Sequence, residues 1–241
     1  MADYNYDSTL GRSNRETQTP ADIFDVVYNS ESTFDLPIED TRLLVNDLMI
    51  HQIGTKVLVD GQTEFILTSD LRKRYSNLHN NMKDCSFLHA TRAKRGSIVT
   101  FPNESQALVF DIPNDDIVSY SARIVVFNNR LDFFRPEVTY DEDPKSPTYG
   151  DEISFLLRTE KSIPVFIEKV DGYLKNQDVG LLHDSVYKVI GSQEMITANV
   201  EDVVRVADKY YEISDIDKLT SGICVLQLRS SRNEYDKYVV K

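Results

Sequence analysis

Short apolar runs separated by turn residues dominate the chain and predict a structure built mainly of β-strands. The clearest pattern lies between Val203 and Arg229, where two runs flanking Ala207-Asp208-Lys209 predict a hairpin and the run Ile223–Leu228 predicts a third strand. This third run is apolar on both faces until Gln227, which is typical of a strand in the middle of a sheet. We therefore expect the fold to close around it.

The middle of the chain repeats the same kind of pattern. Lys56–Val59 and Thr63–Leu67 flank Asp60-Gly61, which is among the strongest short-range signals for a hairpin. Several strands at short spacing favour a sandwich or a barrel. The further predicted strands are Phe87–Thr91, Ser97–Phe101, Ala107–Phe110, Ile117–Phe127, Leu131–Phe134, Ile153–Leu157 and Val186–Ile190.

A few segments have helical patterns instead. Asp40 or Thr41 is a candidate N-cap for a helix that ends at Gly54, and Thr68 or Ser69 is a candidate N-cap for a second, polar helix. Pro164 is suited to open a third helix running to Leu174. The run 21–27 fits a short strand or a helical turn equally well. The apolar stripes are Leu43, Leu44, Leu48, Met49 and Ile53 in the first helix, and Leu71, Tyr75 and Leu78 in the second. The predicted fold class is thus mainly β with a few helices.

Composition along the chain predicts four regions. Residues 1–20 are polar and lack a period that buries a face, so they are predicted to form an extended N-terminal arm. Residues 139–151 contain two prolines, a glycine and a run of acids, which is typical of a linker. The predicted lobes are 21–138 and 152–241, on either side of that linker.

Charge and hydropathy narrow the classes of partner. The chain has 27 basic and 39 acidic residues, a net charge of −12, which argues against binding to a nucleic-acid backbone or an anionic membrane. No apolar run approaches the length of about 20 residues that a membrane-spanning helix needs. Cys85 and Cys224 each lie in an apolar run, and we interpret both as reduced core thiols. The sequence predicts a soluble protein that stays in the compartment where it is made.

The search for catalytic chemistry yields no local motif. The chain has no nucleophile elbow, no P-loop, no dinucleotide fingerprint, no H-E-x-x-H and no C-x-x-C pair. His51 has no second ligand at helical spacing, and His79, His89 and His183 are each candidates only for a nonlocal site. Asp141, Glu142 and Asp143 resemble Ca²⁺ ligands in type but not in spacing, so we interpret them as a solvated loop. We expect a protein without enzymatic activity, catalytic residues, cofactor or metal.

Two groups of residues are candidates for protein contacts. Tyr4, Tyr6 and Leu10 are apolar anchors in the polar arm, and we expect them to lie against another subunit; the alternative is an arm folded back on its own body. Arg92, Lys94 and Arg95 form the one basic cluster, next to Gly96. This cluster fits either an exposed hairpin tip or a contact with an acidic neighbour, such as another copy of this acidic chain.

The polar arm, the body of short strands and the turn-rich unit Val203–Leu228 resemble, in style, the ring and adaptor subunits of tailed-bacteriophage necks and tails. The resemblance implies a structural subunit of a virion, present in the host cytoplasm during assembly, whose partners are other copies of itself and neighbouring virion proteins. It also implies an acidic channel past which DNA slides without sequence-specific recognition. The alternative is a soluble cytoplasmic binding or enzymatic domain whose pocket is not visible in the sequence.

Overall fold

The computed structural model describes most of the chain from residue 35 onward. The described residues are 6–7, 12–13, 35–70, 81–115, 119–142, 144–145, 147, 149–171, 174, 178, 180–231, 235 and 238–240. Within the predicted arm, β1 (Tyr6–Asp7) and β2 (Arg12–Ser13) pair antiparallel. The sequence had suggested no strand there. Tyr4, Leu10, the run 21–27 and His79 lie outside the described residues, as does the side chain of Tyr6.

Helix α1 covers Asp35–Leu48 and continues as a π-helical turn, Met49–Ile53. The predicted start at Asp40 or Thr41 is wrong, because the helix begins earlier and Asp40 is a buried residue inside it. The predicted end at Gly54 is confirmed: its backbone N–H donates to the Met49 carbonyl at 3.0 Å. None of the described helices is long and apolar enough to cross a membrane.

Six strands form a first closed antiparallel barrel. They are β3 (Thr55–Val59), β4 (Gln62–Asp70), β5 (Met82–Phe87), β6 (Ile98–Thr100), β7 (Gln106–Val109) and β9 (Tyr120–Val126), with β8 (Asn114–Asp115) added beside β9. The order is β3-β4-β5-β9-β7-β6, and β6 pairs with β3 to close the cycle. The predicted hairpin at Asp60-Gly61 is confirmed, since both residues have positive φ values (47° and 83°), as a type I′ turn requires.

Six further strands form a second closed barrel. They are β10 (Asn129–Tyr140), β11 (Glu152–Lys169), β12 (Ser185–Ser192), β13 (Val203–Val206), β14 (Lys209–Asp217) and β15 (Ile223–Ser230), while β16 (Val239–Val240) pairs parallel with β11 outside the cycle. The order is β10-β13-β14-β15-β12-β11, closed by β11 against β10. The predicted hairpin and third strand after Val203 are confirmed, and β15 lies between β14 and β12.

The alternation of side chains explains how the barrels are filled. Every strand of each cycle places buried apolar side chains toward its own interior. In β15, Cys224, Leu226 and Leu228 point inward, whereas Ile223 and Val225 point outward. Ile223 and Val225 pack against outward-pointing residues of the first barrel, among them Leu108. The cluster between the barrels comprises Met82, Leu108, Val125, Phe166, Ile190 and Ile223, with Ile98, Phe110, Phe127 and Val225 packed around it.

The protein is therefore mainly β and has two barrel-like lobes, as the sequence predicted. The chain passes from one barrel to the other at Phe127–Asn128, between β9 and β10. The predicted linker 139–151 is instead the end of the β10–β11 hairpin, where Asp141 and Asp151 are joined by a backbone hydrogen bond of 3.0 Å. Prolines and acids mark a turn as readily as a linker, and only the pairing of the flanking strands distinguishes the two.

Several other predicted elements need correction. Thr68 and Ser69 lie within β4, so the caps predicted for the second helix are wrong, and its stripe Leu71, Tyr75 and Leu78 lies outside the described residues. The strand predicted at Phe87–Thr91 is β5, which lies earlier and ends at Phe87. Pro164 lies in β11 next to a bulge where Ser162 has a φ of 55°, and its missing N–H is tolerated at this break in the ladder. Since 165–169 continues as strand, the third predicted helix is wrong over that range.

Candidate interaction site

The basic cluster lies in a loop between β5 and β6, two strands that do not pair with each other. It is therefore not a hairpin tip. Arg92 is exposed, and its backbone N–H donates to Oε1 of Glu64 at 3.3 Å. Thr91 donates to the other oxygen of the same carboxylate at 2.5 Å. Glu64 thus holds the loop at its start, against β4.

Lys94 reaches from this loop to the second barrel. Its Nζ lies 3.1 Å from Oε1 of Glu194, in an exposed ion pair. The hydrogen bond to Glu194 raises the pKa of the Lys94 ammonium above its ordinary value. One acidic neighbour of the basic cluster is therefore a residue of the same chain.

Arg95 lies where the backbones of the two barrels touch. Gly96 and Gly222 both have positive φ values, 90° and 83°, and their Cα atoms face each other. A Cβ on Gly96 would lie 2.6 Å from the Gly222 Cα, so neither position has room for a side chain. Ser192 Oγ donates to the Gly96 carbonyl at 3.2 Å across the same contact. The loop backbone is consequently fixed against the second barrel.

The guanidinium of Arg95 is only partly satisfied by the protein. Its Nε is buried, and no residue in the described part of the chain accepts a hydrogen bond from it. A buried guanidinium N–H without an acceptor costs free energy, so this loop carries a local strain.

A cleft of about 440 Å³, which we call the junction cleft, opens beside Lys94 and Arg95. Its lining residues are Thr91, Ala93, Lys94, Arg95, Ile112, Pro113, Tyr120 and Ser221. One wall is basic and the other is apolar, and Ile112 is 65% exposed. The His89 ring lies against Tyr120, with a centroid distance of 5.2 Å, and Nε2 is 3.5 Å from Asp115 Oδ2. The sequence located the basic wall but not the apolar one.

The second feature is the end of the β10–β11 hairpin, residues 135–157, which we call the distal hairpin. Its strands pair with each other beyond Phe134, the last residue of β10 that pairs with β13. Val138, Tyr140 and Tyr149 are 59%, 59% and 61% exposed. Large apolar side chains at this exposure on one projecting element are typical of a protein contact.

The connection of the distal hairpin is acidic. Glu142, Asp151 and Glu152 are exposed, and Gly150, with a φ of 85°, donates to the Asp141 carbonyl at 2.9 Å to close the turn. Asp143 lies outside the described residues. Among the residues that are described, no group of three or more His, Cys, Asp or Glu side chains is arranged to hold a metal ion.

A third feature, which the sequence did not predict, is a charged cleft of about 560 Å³ at the base of the distal hairpin. Arg135 donates to both oxygens of the buried Asp202 at 3.1 and 3.2 Å. Arg229 donates to Glu212 at 3.1 Å, and Tyr235 lies 3.4 Å from the same carboxylate. Each buried carboxylate is bound to an arginine: one pair fixes β10 to the residue that precedes β13, and the other fixes β14 to β15 and to Tyr235 of the C-terminal segment. Partners so far apart in sequence leave no local signal.

The remaining candidate residues lie apart from these features. His51 is exposed on the π-helical turn, 3.6 Å from Asp47, and His183 is exposed between β11 and β12. Both cysteines are free and buried, as predicted, in different barrels. Burial raises the pKa of the Cys224 thiol to about 11 and that of Cys85 further still. Thiols held neutral in this way are poor nucleophiles.

The fold and these surfaces define a mainly β protein of two filled antiparallel barrels, with a mixed basic and apolar cleft at their junction and a projecting acidic hairpin. No family model matches the sequence, and no match was found among curated proteins or solved structures.

Proposed function

We propose that the protein is a non-enzymatic assembly subunit, which joins other copies of itself and neighbouring proteins of a virion through its outer surfaces. The observation that carries this proposal is the distal hairpin, which holds Val138, Tyr140 and Tyr149 in solvent at the end of a long paired ribbon. Exposing these side chains costs free energy in the isolated chain, and burial against a partner recovers it.

The filled barrels support the same proposal. Small barrels that bind ligands keep an open interior, whereas the interiors here are occupied by buried side chains such as Phe87 and Phe133. The outside of the barrels is then the surface available for recognition. The ring-like neck or tail of a tailed bacteriophage is the setting that the resemblance in style suggests, and the net charge of −12 suits a surface that DNA slides past.

The charged cleft is the feature that an enzymatic alternative would use. Its buried carboxylates, Asp202 and Glu212, each accept several hydrogen bonds from within the chain. Carboxylates whose oxygens already bind an arginine and other donors of the same chain hold the surrounding elements together. We therefore assign the cleft a structural role in the proposed subunit.

The mass of the purified full-length chain in solution tests the proposal. The monomer has a mass of 27.7 kDa, and light scattering coupled to size exclusion is expected to find a discrete species several times heavier. A strictly monomeric protein at all accessible concentrations, both alone and with the other proteins encoded beside it, would overturn the proposed function.

A further inference from the structure

We propose that the distal hairpin of one copy docks into the junction cleft of the next copy, in a head-to-tail contact. This inference rests on the proposed function, because it names the surfaces through which identical subunits would assemble. It commits to a second copy of this chain as the occupant of the cleft.

The first step is the chemistry of the cleft. Its basic wall carries the positive charges of Arg95 and Lys94, of which Lys94 also pairs with Glu194. Its other wall offers Ile112, Pro113 and Tyr120 as an apolar surface. An occupant therefore needs a carboxylate or carbonyl oxygen next to an apolar or aromatic group.

The second step is the chemistry of the hairpin. Tyr140 and Tyr149 are exposed aromatic side chains at its end, and Glu142 and Asp151 are exposed carboxylates beside them. Tyr140 lies six positions beyond Phe134, and a strand rises about 3.3 Å per residue, so the end projects roughly 20 Å beyond the barrel pairing. This element has both the chemistry and the reach that the cleft requires.

The third step is charge complementarity within an acidic molecule. With a net charge of −12, two copies repel each other over most orientations. The basic loop at Arg92–Arg95 attracts an acidic element of a second copy. Electrostatics therefore favour the orientation in which that element faces this loop. Among the described residues of the distal hairpin, none lines the cleft within the same chain.

The geometry of such a contact determines the kind of assembly. Hairpin and cleft are different surfaces, so each copy uses one surface to donate and another to accept. Heterologous contacts of this type close into a ring when the rotation between copies permits, and otherwise continue as a filament. The proposed contact is thus of the kind that a ring-forming subunit needs.

The central experiment is charge reversal with rescue in the full-length protein. Arg95→Glu alone and Glu142→Arg alone are each expected to raise the concentration needed for assembly by at least about tenfold, because like charges then meet in the contact. The double variant is expected to restore assembly, as is an equimolar mixture of the two single variants, in which each kind of copy complements the other. Glu104→Arg, a reversal at an exposed position outside both surfaces, serves as the matched control and is expected to leave assembly unchanged.

Disulfide trapping provides a test that does not depend on Arg95. Ile112 and Tyr149 are exposed, so Ile112→Cys and Tyr149→Cys are expected to fold, and the native thiols are buried. Under mild oxidation the variant carrying both changes is expected to form covalent chains of subunits. The pair Tyr149→Cys with Leu182→Cys, the latter exposed and outside the cleft, is expected to remain uncrosslinked.

The outcomes separate this inference from the proposed function. This inference is wrong if the wild-type chain assembles, the charge reversals leave that assembly unchanged and the cysteine pair forms no crosslink. The hairpin and the cleft are then not the contact. If the wild-type chain does not assemble with itself at all, the proposed self-assembly fails first. If each single-reversal variant is monomeric, and assembly is restored in the double variant and in the mixture, the results support both the proposed function and the contact between hairpin and cleft.

Discussion

Gln227 is a buried polar side chain on the outer face of β15, and all four of its hydrogen-bonding positions are used. Its Oε1 accepts from the Leu182 N–H at 2.7 Å and from Ser185 Oγ at 2.8 Å, and its Nε2 donates to the Gly180 carbonyl at 2.9 Å and to Asp215 at 3.1 Å. A buried amide is tolerated only when it is satisfied in this way. Gln227 therefore fastens the loop before β12 to the barrel wall.

We expect Gln227→Leu to lower the free energy of unfolding by about 2–3 kcal/mol, because it leaves buried donors and acceptors of that loop without partners. Urea unfolding followed by circular dichroism measures the loss. Gln62→Leu, at an exposed position of β4, is the matched control and should stay within about 0.5 kcal/mol of wild type. Equal effects at both positions would contradict the role assigned to Gln227.

The buried thiols predict how stability depends on alkaline pH. Cys224 keeps its proton in the folded protein up to a pKa of about 11, whereas an unfolded thiol ionises near 9.0. The raised pKa means that this contribution to stability is fully present below pH 9 and is lost as the pH rises toward 11. Cys85 acts in the same direction.

Thermal melting across this pH range is the measurement, with Cys85→Ala and Cys224→Ala combined as the control. The wild-type melting temperature should fall more steeply than that of the control. A thiol reagent should modify neither cysteine rapidly in the native protein and both after denaturation. Fast native modification would show that a cysteine is accessible.

At the level of the element, turn chemistry was the most reliable guide. Asp60-Gly61 and the polar break after Val206 each predicted a hairpin correctly, because a tight turn that needs a positive φ, here at Asp60, Gly61 and Ala207, is decided by local sterics. The helix predicted to begin at Pro164 is wrong, because a proline beside a bulge and a proline opening a helix look alike in sequence. The difference lies in β10, which pairs with this segment from more than thirty residues away.

The junction between the barrels offers a test of packing between elements. Val225 lies half-buried on the outer face of β15, among the apolar side chains that join the two barrels. Val225→Asp is expected to cost about 2 kcal/mol or more, because a carboxylate there is desolvated without a partner. The loss should separate the unfolding of the two barrels into two transitions in a calorimetric melt.

Two companion variants make the result specific. Ser230→Asp, at the exposed end of the same strand, should change stability by less than about 0.5 kcal/mol. Leu226→Asp, inside the second barrel, should instead unfold that barrel. A mild effect of Val225→Asp together with a single cooperative transition would mean that the contact contributes little.

At the level of the whole molecule, strand-rich composition predicted two β lobes but not their closure. Closure depends on β6 meeting β3 and on β11 meeting β10, and these pairings are set by twist and register over the complete sheet. For the same reason the sequence located Lys94 and Arg95 but not the junction cleft, whose apolar wall comes from the segment around Ile112 and from Tyr120. Local patterns identify surfaces, whereas clefts between segments require the fold.

The single passage between barrels at Phe127–Asn128 has a consequence for synthesis. All strands of the first barrel precede it, so this barrel can close as soon as Val126 has left the ribosome. The second barrel needs β15, which ends at Ser230, to bridge β14 and β12. While the roughly one hundred residues in between are translated, the nascent chain carries a folded first barrel whose outward-pointing Leu108 and Val125 are not yet covered by the second barrel. This is the interval in which we expect a chaperone to bind the chain.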